Sequence, residues 1–365
     1  DFRAVKFANI HSWVQLIQVM LTDTDIDDRK RSDFVLEAFQ IVLPKINDYL
    51  ARDVQFAEEL ISLCVLLFDV YEKTSNLESA LANLIPLFLT CISGVVGLQA
   101  APDLRLDLYV LLCRYLQKLI IKTELRKQLV GYLKSAGNKF IDTICNDAVY
   151  AEGPPRITAL VLLVQLVHLL STQKHNFVFE LMLKNKMLMV LARLVKRTDE
   201  IVSLSSADQA GKSGISASTI LYELTAFKLT IYLLVRLAST RAGALQLVQN
   251  EIFPVILDCK FLQVDPDVGL YLHFQESKEH NTTVKLLLDV PLVFAQYETG
   301  SDGLSYYEFL VPVFQLVTLV LISMGPSYQP GVIHGKQVLE HFKSIIVGIL
   351  KRDSLLENSE LPSSK

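Results

Sequence analysis

Apolar side chains return every three or four positions from the first residues onward: Phe2, Val5, Phe7, Ile10, Trp13, Val14, Ile17 and Leu21 keep helical spacing. The run FAEELISLCVLLFDVY continues it. Stretches that alternate apolar and polar, as a half-buried strand does, are essentially absent. The spacing predicts helices over 2–22, 32–51, 54–73, 77–97, 102–121, 123–135, 138–149, 155–172, 176–197, 216–240, 241–251, 253–262, 284–298, 303–324 and 334–351. Pro44 and Pro86 fall inside two of these and should kink or divide them, because proline removes a donor and clashes one turn back. Connections are short, with start signals at Asp27 and Asp28, at Ser75, at Pro102 and in the GPPR before residue 157.

Helix after helix joined by short turns, with one antiparallel pair about every 40 to 50 residues, predicts an all-α fold: an irregular α-solenoid of HEAT-like or armadillo-like pairs. The pattern reads as a single array over 1–353. A Ser, Gly and Ala-rich stretch near 203–216 interrupts it as a mobile loop, 263–283 is a longer excursion, and the polar 354–365 is expected to be a disordered tail. The chain opens without Met and is helical within its first dozen residues, so it reads as a piece of something longer. No basic region followed by a small-residue cleavage site marks a secretory signal, and the NTT at Asn281 is then a chance sequon.

The most apolar run, FLVPVFQLVTLVLISM over 309–324, asks whether the chain crosses a membrane. At ~1.5 Å per residue it reaches ~24 Å, short of a ~30 Å hydrocarbon core, and Pro312, Gln315, Thr318 and Ser323 interrupt it. A helix apolar nearly all round is covered on several sides, so the run predicts a central core helix lying against the helix that contains Phe342.

Apolar residues make up 51% and charged ones 20%, which suits a helical protein with much internal surface. With 35 basic against 39 acidic side chains there is no electrostatic footprint for a nucleic-acid backbone. The five cysteines, Cys64, Cys91, Cys113, Cys145 and Cys259, are dispersed in apolar runs and read as reduced core residues.

Catalytic and metal signatures are missing. DTDIDDRKRSDF over 23–34 starts like a calcium loop with Asp23, Asp25 and Asp27, but the positions that need Gly and Glu hold Asp28 and Phe34. It reads as an acidic turn before a helix. His334 and His341 are seven apart and Cys259 and His273 fourteen, with no closely paired ligands for zinc. GKSGIS lacks the frame of a nucleophile elbow, no glycine-rich phosphate cradle occurs, and the adjacent Glu58 and Glu59 diverge on a helix. The expectation is a non-enzymatic chain without cofactor or metal.

What stands out is apolar excess. In NKMLMVLARLVKR, one face carries Met187, Val190, Leu191 and Leu194 and a second carries Leu188, Ala192 and Val195, more than one core-facing stripe needs. The surplus meets either neighbouring helices or a partner. The closing helix GKQVLEHFKSIIVGILKR places Val338, Leu339, Phe342, Ile345, Ile346, Ile349 and Leu350 on one wide stripe with no successor to cover it, either sealed by the tail or open to a ligand.

Two stretches, YELTAFKLTIYLLVRLASTRAGALQLVQNEIFPVILDCKFL over 222–262 and YYEFLVPVFQLVTLVLISMGPSYQPGVIHGKQVLEHFKSIIVGILKRD over 306–353, resemble the C-terminal tail of the large inner-ring scaffold nucleoporins of the nuclear pore complex. The resemblance rests on order and spacing over roughly the last 150 residues. It implies a non-enzymatic α-solenoid, similar in shape to nuclear transport receptors, located at the nuclear pore. It further implies a tail that receives a short linear segment of a flexible linker nucleoporin alongside other inner-ring nucleoporins, with neither nucleic acid nor inserted membrane as partner. The peptide-binding residues expected from this sequence are Met187 and Leu191 on one side and Leu339, Phe342 and Ile346 on the other. A cargo-binding solenoid of the transport-receptor kind and a membrane-coat or tethering subunit would share the same helical pattern.

Overall fold

The computed structural model describes residues 2–22, 26–75, 80–98, 102–119, 123–171, 173, 175–206, 215–265, 268–277, 280–286 and 305–359. Among these residues sixteen α-helices, three short 3₁₀ turns and one hairpin form two compact units, Asp1–Leu181 and Met182–Lys365. The acidic turn around Asp23 and Asp25 and most of the loop expected over 203–216 lie outside the described residues.

The first unit holds α1 (Phe2–Thr22), α2 (Asp28–Leu50), α3 (Val54–Thr74), α4 (Ile85–Gly97), α5 (Leu106–Gln117), α6 (Thr123–Ala136), α7 (Asn138–Tyr150) and α8 (Pro154–Leu169), and ends within α9 (Phe177–Lys184). Each helix packs on neighbours one to three places along the chain: α2 on α3 and α4, α5 on α3, α4 and α8, α7 on α4 and α8. Such short-range stacking is how a helical array builds a continuous core. The helical spacing read in α3 is realised directly, with Phe56, Leu60, Ile61, Cys64, Leu67, Phe68 and Tyr71 buried on one face.

The second unit contains α10 (Met187–Ser206), α11 (Ala217–Ala238), α12 (Arg241–Gln249), α13 (Ile252–Leu257), strands β1 (Leu270–Ser277) and β2 (His280–Leu286), α14 (Tyr307–Met324), α15 (Gln329–His341) and α16 (Lys343–Ser359). Its centre is α14, the apolar run 309–324, packed on α11 and α12 and flanked by α15. By length and composition α14 could cross a membrane, yet 44% of its 18 residues are buried inside the unit. The rings of Phe227, Phe261 and Phe309 meet edge to face at 5.0 to 6.2 Å beneath it, a geometry favoured by the aromatic quadrupole.

Four departures from the sequence pattern have physical reasons. The segment 263–283 was expected as an excursion and 284–298 as a helix; instead β1 pairs antiparallel with β2, Leu270 opposite Leu286 and Leu272 opposite Val284. The alternation is short but real: Leu270 and Leu272 are buried while Tyr271 between them is exposed, and β1 packs on α10 and α11. Residues 287–298 lie outside the described residues.

Secondly, Pro86 sits in the first turn of α4 after a 3₁₀ turn at Leu81–Leu84, so the expected helix is divided there, whereas Pro44 does not divide α2. Thirdly, 176–197 is two helices. Lys186 adopts a left-handed φ of 53° between α9 and α10, and α10 then continues to Ser206. Finally, the closing helix breaks at Phe342 into α15, which starts at Gln329 instead of 334, and α16, which runs on to Ser359 past the expected start of the tail at 354. The residues 354–359, SLLENS, include good helix formers, which favours that extension.

Candidate functional site

Gly325 lets α14 stop abruptly. Its φ of +77° is a backbone conformation that side chains resist, and its N–H still closes on the Leu321 carbonyl at 3.1 Å. The chain reverses through Pro326 and Tyr328 into α15, whose first turn carries Pro330, where a missing N–H costs nothing. The two helices pack closely because Gly331 and Gly335 face α14: a Cβ at Gly331 would stand 3.4 Å from Leu321 and 2.8 Å from the Tyr328 ring in the turn, and one at Gly335 would stand 3.3 Å from Leu321.

Between the end of α14 and the outer side of α15 lies an apolar groove of about 640 Å³, lined among others by Leu321, Ile322, Pro326, Tyr328, Val332 and Leu339. Ile322 is 68% exposed, Val332 79% and Leu339 62%. Val332, Lys336 and Leu339 stand at i, i+4 and i+7, so they share one face of α15. Ile333 is exposed beside them. Lys336 is the charged residue of the lining, and its ammonium lies 3.7 Å from Glu340 one turn on.

Behind the groove the packing is aromatic. The His334 ring stacks on Phe253 at 4.6 Å and 1°, with Tyr328 on the same stack at 6.2 Å, and burial pushes the Tyr328 phenol above its ordinary pKa. Phe342 closes the bottom of α15. It is fully buried, and its ring meets Phe314 of α14 edge on at 5.4 Å.

The five residues singled out in the sequence fall in different environments. Met187 and Leu191 are buried on α10, which packs on α11, α13, β1 and the turn at Lys260–Gln263; Phe342 is buried as well. Ile346 is half-buried, and Leu339 alone of the five is widely exposed. α10 and α15 both pack on α13, so the two stripes share a neighbour. Any contact that the five make with a ligand, with the core left as it is, therefore falls to Leu339 and Ile346.

Tyr328 and Val332 escaped sequence reading because GPSYQPGVIHG looks like a connection, full of turn residues, and Ile322 because the run 309–324 reads as covered on several sides. The signal was Pro330 itself, which begins a helix as readily as it ends one.

A relative with a similar sequence is the nucleoporin NUP192 of Chaetomium thermophilum, 21% identical over 94% of this chain; the chain spans about a fifth of that protein's length. The family model described as nuclear pore complex scaffold, nucleoporins 186/192/205, matches residues 1–364. Both agree with the resemblance to inner-ring scaffold nucleoporins carried by 222–262 and 306–353. The chain belongs to the Nup192 family, the scaffold nucleoporins of the nuclear pore complex at the nuclear envelope.

Proposed function

We propose that this chain is the peptide-receiving tail of an inner-ring scaffold, a non-enzymatic solenoid that holds a short linear segment of a flexible linker nucleoporin and so ties neighbouring inner-ring subunits together during pore assembly and transport. The observation that carries the reading is the α14–α15 groove, where Ile322, Val332 and Leu339 are exposed side by side on an otherwise well-packed unit. Contiguous exposed apolar surface rimmed by polar residues marks interaction sites.

The energetics are of the right order. Each such side chain releases about 1.5 to 3 kcal/mol when fully buried. Ordering a disordered segment consumes about 2 to 5 kcal/mol of the gross interaction energy. Three anchors together outweigh the ordering cost over most of its range, whereas one alone offsets only its lower end, and main-chain contacts must meet the further cost of association. Phe342 packs on Phe314 of α14, and Met187 and Leu191 are buried on α10, which shares the neighbour α13 with α15.

The test is calorimetric titration of the chain with peptides tiled along linker nucleoporins. Val332→Asp and Leu339→Asp should each weaken the binding peptide at least about tenfold, with far-UV circular dichroism unchanged because both positions are exposed. Phe342→Ala, by contrast, should destabilise the unit by about 3 to 5 kcal/mol. Wild-type affinity in both aspartate variants refutes the groove, and no binding by any tiled peptide refutes the linker reading.

A further inference from the structure

α1 is 21 residues long, as α3 is, yet it buries only Val14, Ile17 and Leu21 where α3 buries nine side chains. Its outer face is apolar as well: Phe2, Val5, Trp13, Leu16, Val19 and Met20 are exposed. At about 100° per residue these six form one stripe along the helix, roughly 120° round from the buried three. A helix that faces a single core needs one stripe, and a helix with two is built to be covered on two sides. The rest of the unit shows what covers such a helix. α1, α3, α5 and α8 pack in that order, each on the next. α3 and α5 therefore have a neighbour in the row on either side, whereas among the described residues α1 has one on its α3 side alone.

We propose that the exposed stripe of α1 is a seam inside the scaffold: in the full-length protein a helix from the portion of the chain before Phe2 packs along it and continues the row. Helical arrays build their core by stacking neighbour on neighbour. The stripe runs from Phe2 to Met20, ~27 Å at ~1.5 Å per residue, which matches a whole helix and not the reach of one anchoring side chain. The chain spans about a fifth of the NUP192 relative's length, so a scaffold of that size has ample chain outside the described residues to supply the helix. Lipid is the poorer occupant. A helix that lies on a membrane keeps basic residues beside its apolar face for the headgroups. Here the Lys6 ammonium lies over the Tyr49 ring at 5.0 Å and Arg3 bonds Asp53 at 2.7 Å, both turned towards α2 and α3. The seam rests on the family assignment and not on the α14–α15 groove, which lies in the other unit, so the two succeed or fail separately.

Hydrogen exchange read by mass spectrometry tests it, with this chain and the full-length scaffold each measured at two concentrations. The α1 amides should exchange at least about tenfold more slowly in the full-length protein, at both concentrations. Leu16→Asp together with Val19→Asp should abolish that slowing in the full-length protein and leave the thermal midpoint of this chain unchanged, since both side chains are exposed here. Equal exchange in the two wild-type proteins overturns the proposal. So does slowing confined to the higher concentration, the mark of a second copy on the stripe, and so does slowing that survives both aspartates. The wild-type comparison decides the matter even where the variant scaffold folds poorly.

Discussion

Arg105 and Asp147 are the most deeply buried ion pair among the described residues, both about 4% exposed. Arg105, at the end of a 3₁₀ turn, donates through Nε and Nη2 to the two Asp147 oxygens on α7 at 2.7 and 2.6 Å, and through Nη1 to the Leu98 carbonyl. The Tyr109 hydroxyl donates to Asp147 as well, at 2.5 Å. Burial, and then that bond, push the phenol far above its usual range. Removing the carboxylate strands a buried guanidinium, so Asp147→Ala should cost about 3 to 5 kcal/mol. Trp13, the chain's single tryptophan, lies in the same unit, and its fluorescence should report the lower urea midpoint. An unchanged midpoint would show that the charge is solvated by other means.

Four of the five cysteines are buried, as their dispersed apolar placement predicts, and Cys113 is half-buried. Burial holds the Cys113, Cys145 and Cys259 thiols at about 12 against an ordinary 9.0, and raises those of Cys64 and Cys91 well above it too. The fold favours the protonated thiol. The stability this contributes is complete below pH 9.0, the unfolded value, and is lost as pH climbs towards about 12. A native chain at about pH 8 should accordingly resist a thiol reagent such as DTNB, and all five thiols should react after denaturation. Fast labelling of Cys64, Cys91, Cys145 or Cys259 in the native chain would contradict its burial.

Single elements show which physical signals the sequence carries. The long amphipathic helices α2, α3 and α11 were legible because one face is buried and the period of 3.6 persists for five or six turns. Backbone conformation at one residue was not. Lys186 and Phe342 each break a helix whose apolar spacing runs on without interruption, and spacing cannot see a left-handed residue or a ring that turns the chain inward. The hairpin was missed for a related reason: seven or eight residues of alternation are outweighed by the helical pattern on both sides. At the candidate site apolar spacing puts Leu339 on one stripe with the buried Phe342, and could not separate exposed from buried members of that stripe.

Capping is where an element's ends become testable. Thr240 opens α12, its hydroxyl oxygen accepting from the Gly243 N–H at 3.1 Å. Thr240→Ala should destabilise by about 1 kcal/mol and Thr240→Ser much less, since serine keeps the acceptor. Hydrogen exchange in α12 should accelerate in the alanine variant, and equal exchange in all three forms would mean that packing alone sets this corner.

For the whole molecule, charge separates the proposed scaffold role from nucleic-acid binding. The chain is near electroneutral, 35 basic against 39 acidic side chains, and the lysine at the groove already faces Glu340. Binding that releases counterions from a nucleic-acid backbone weakens by orders of magnitude as salt rises. Burial of Ile322, Val332 and Leu339 under a peptide releases none, and exposed pairs such as Lys336 with Glu340 contribute little. The affinity for a linker peptide should therefore change less than about threefold between about 0.05 and 0.5 M salt, a range over which the Debye length falls roughly threefold. A loss of tenfold or more by fluorescence anisotropy would place the recognition in charged groups outside the groove and move the binding surface away from α15.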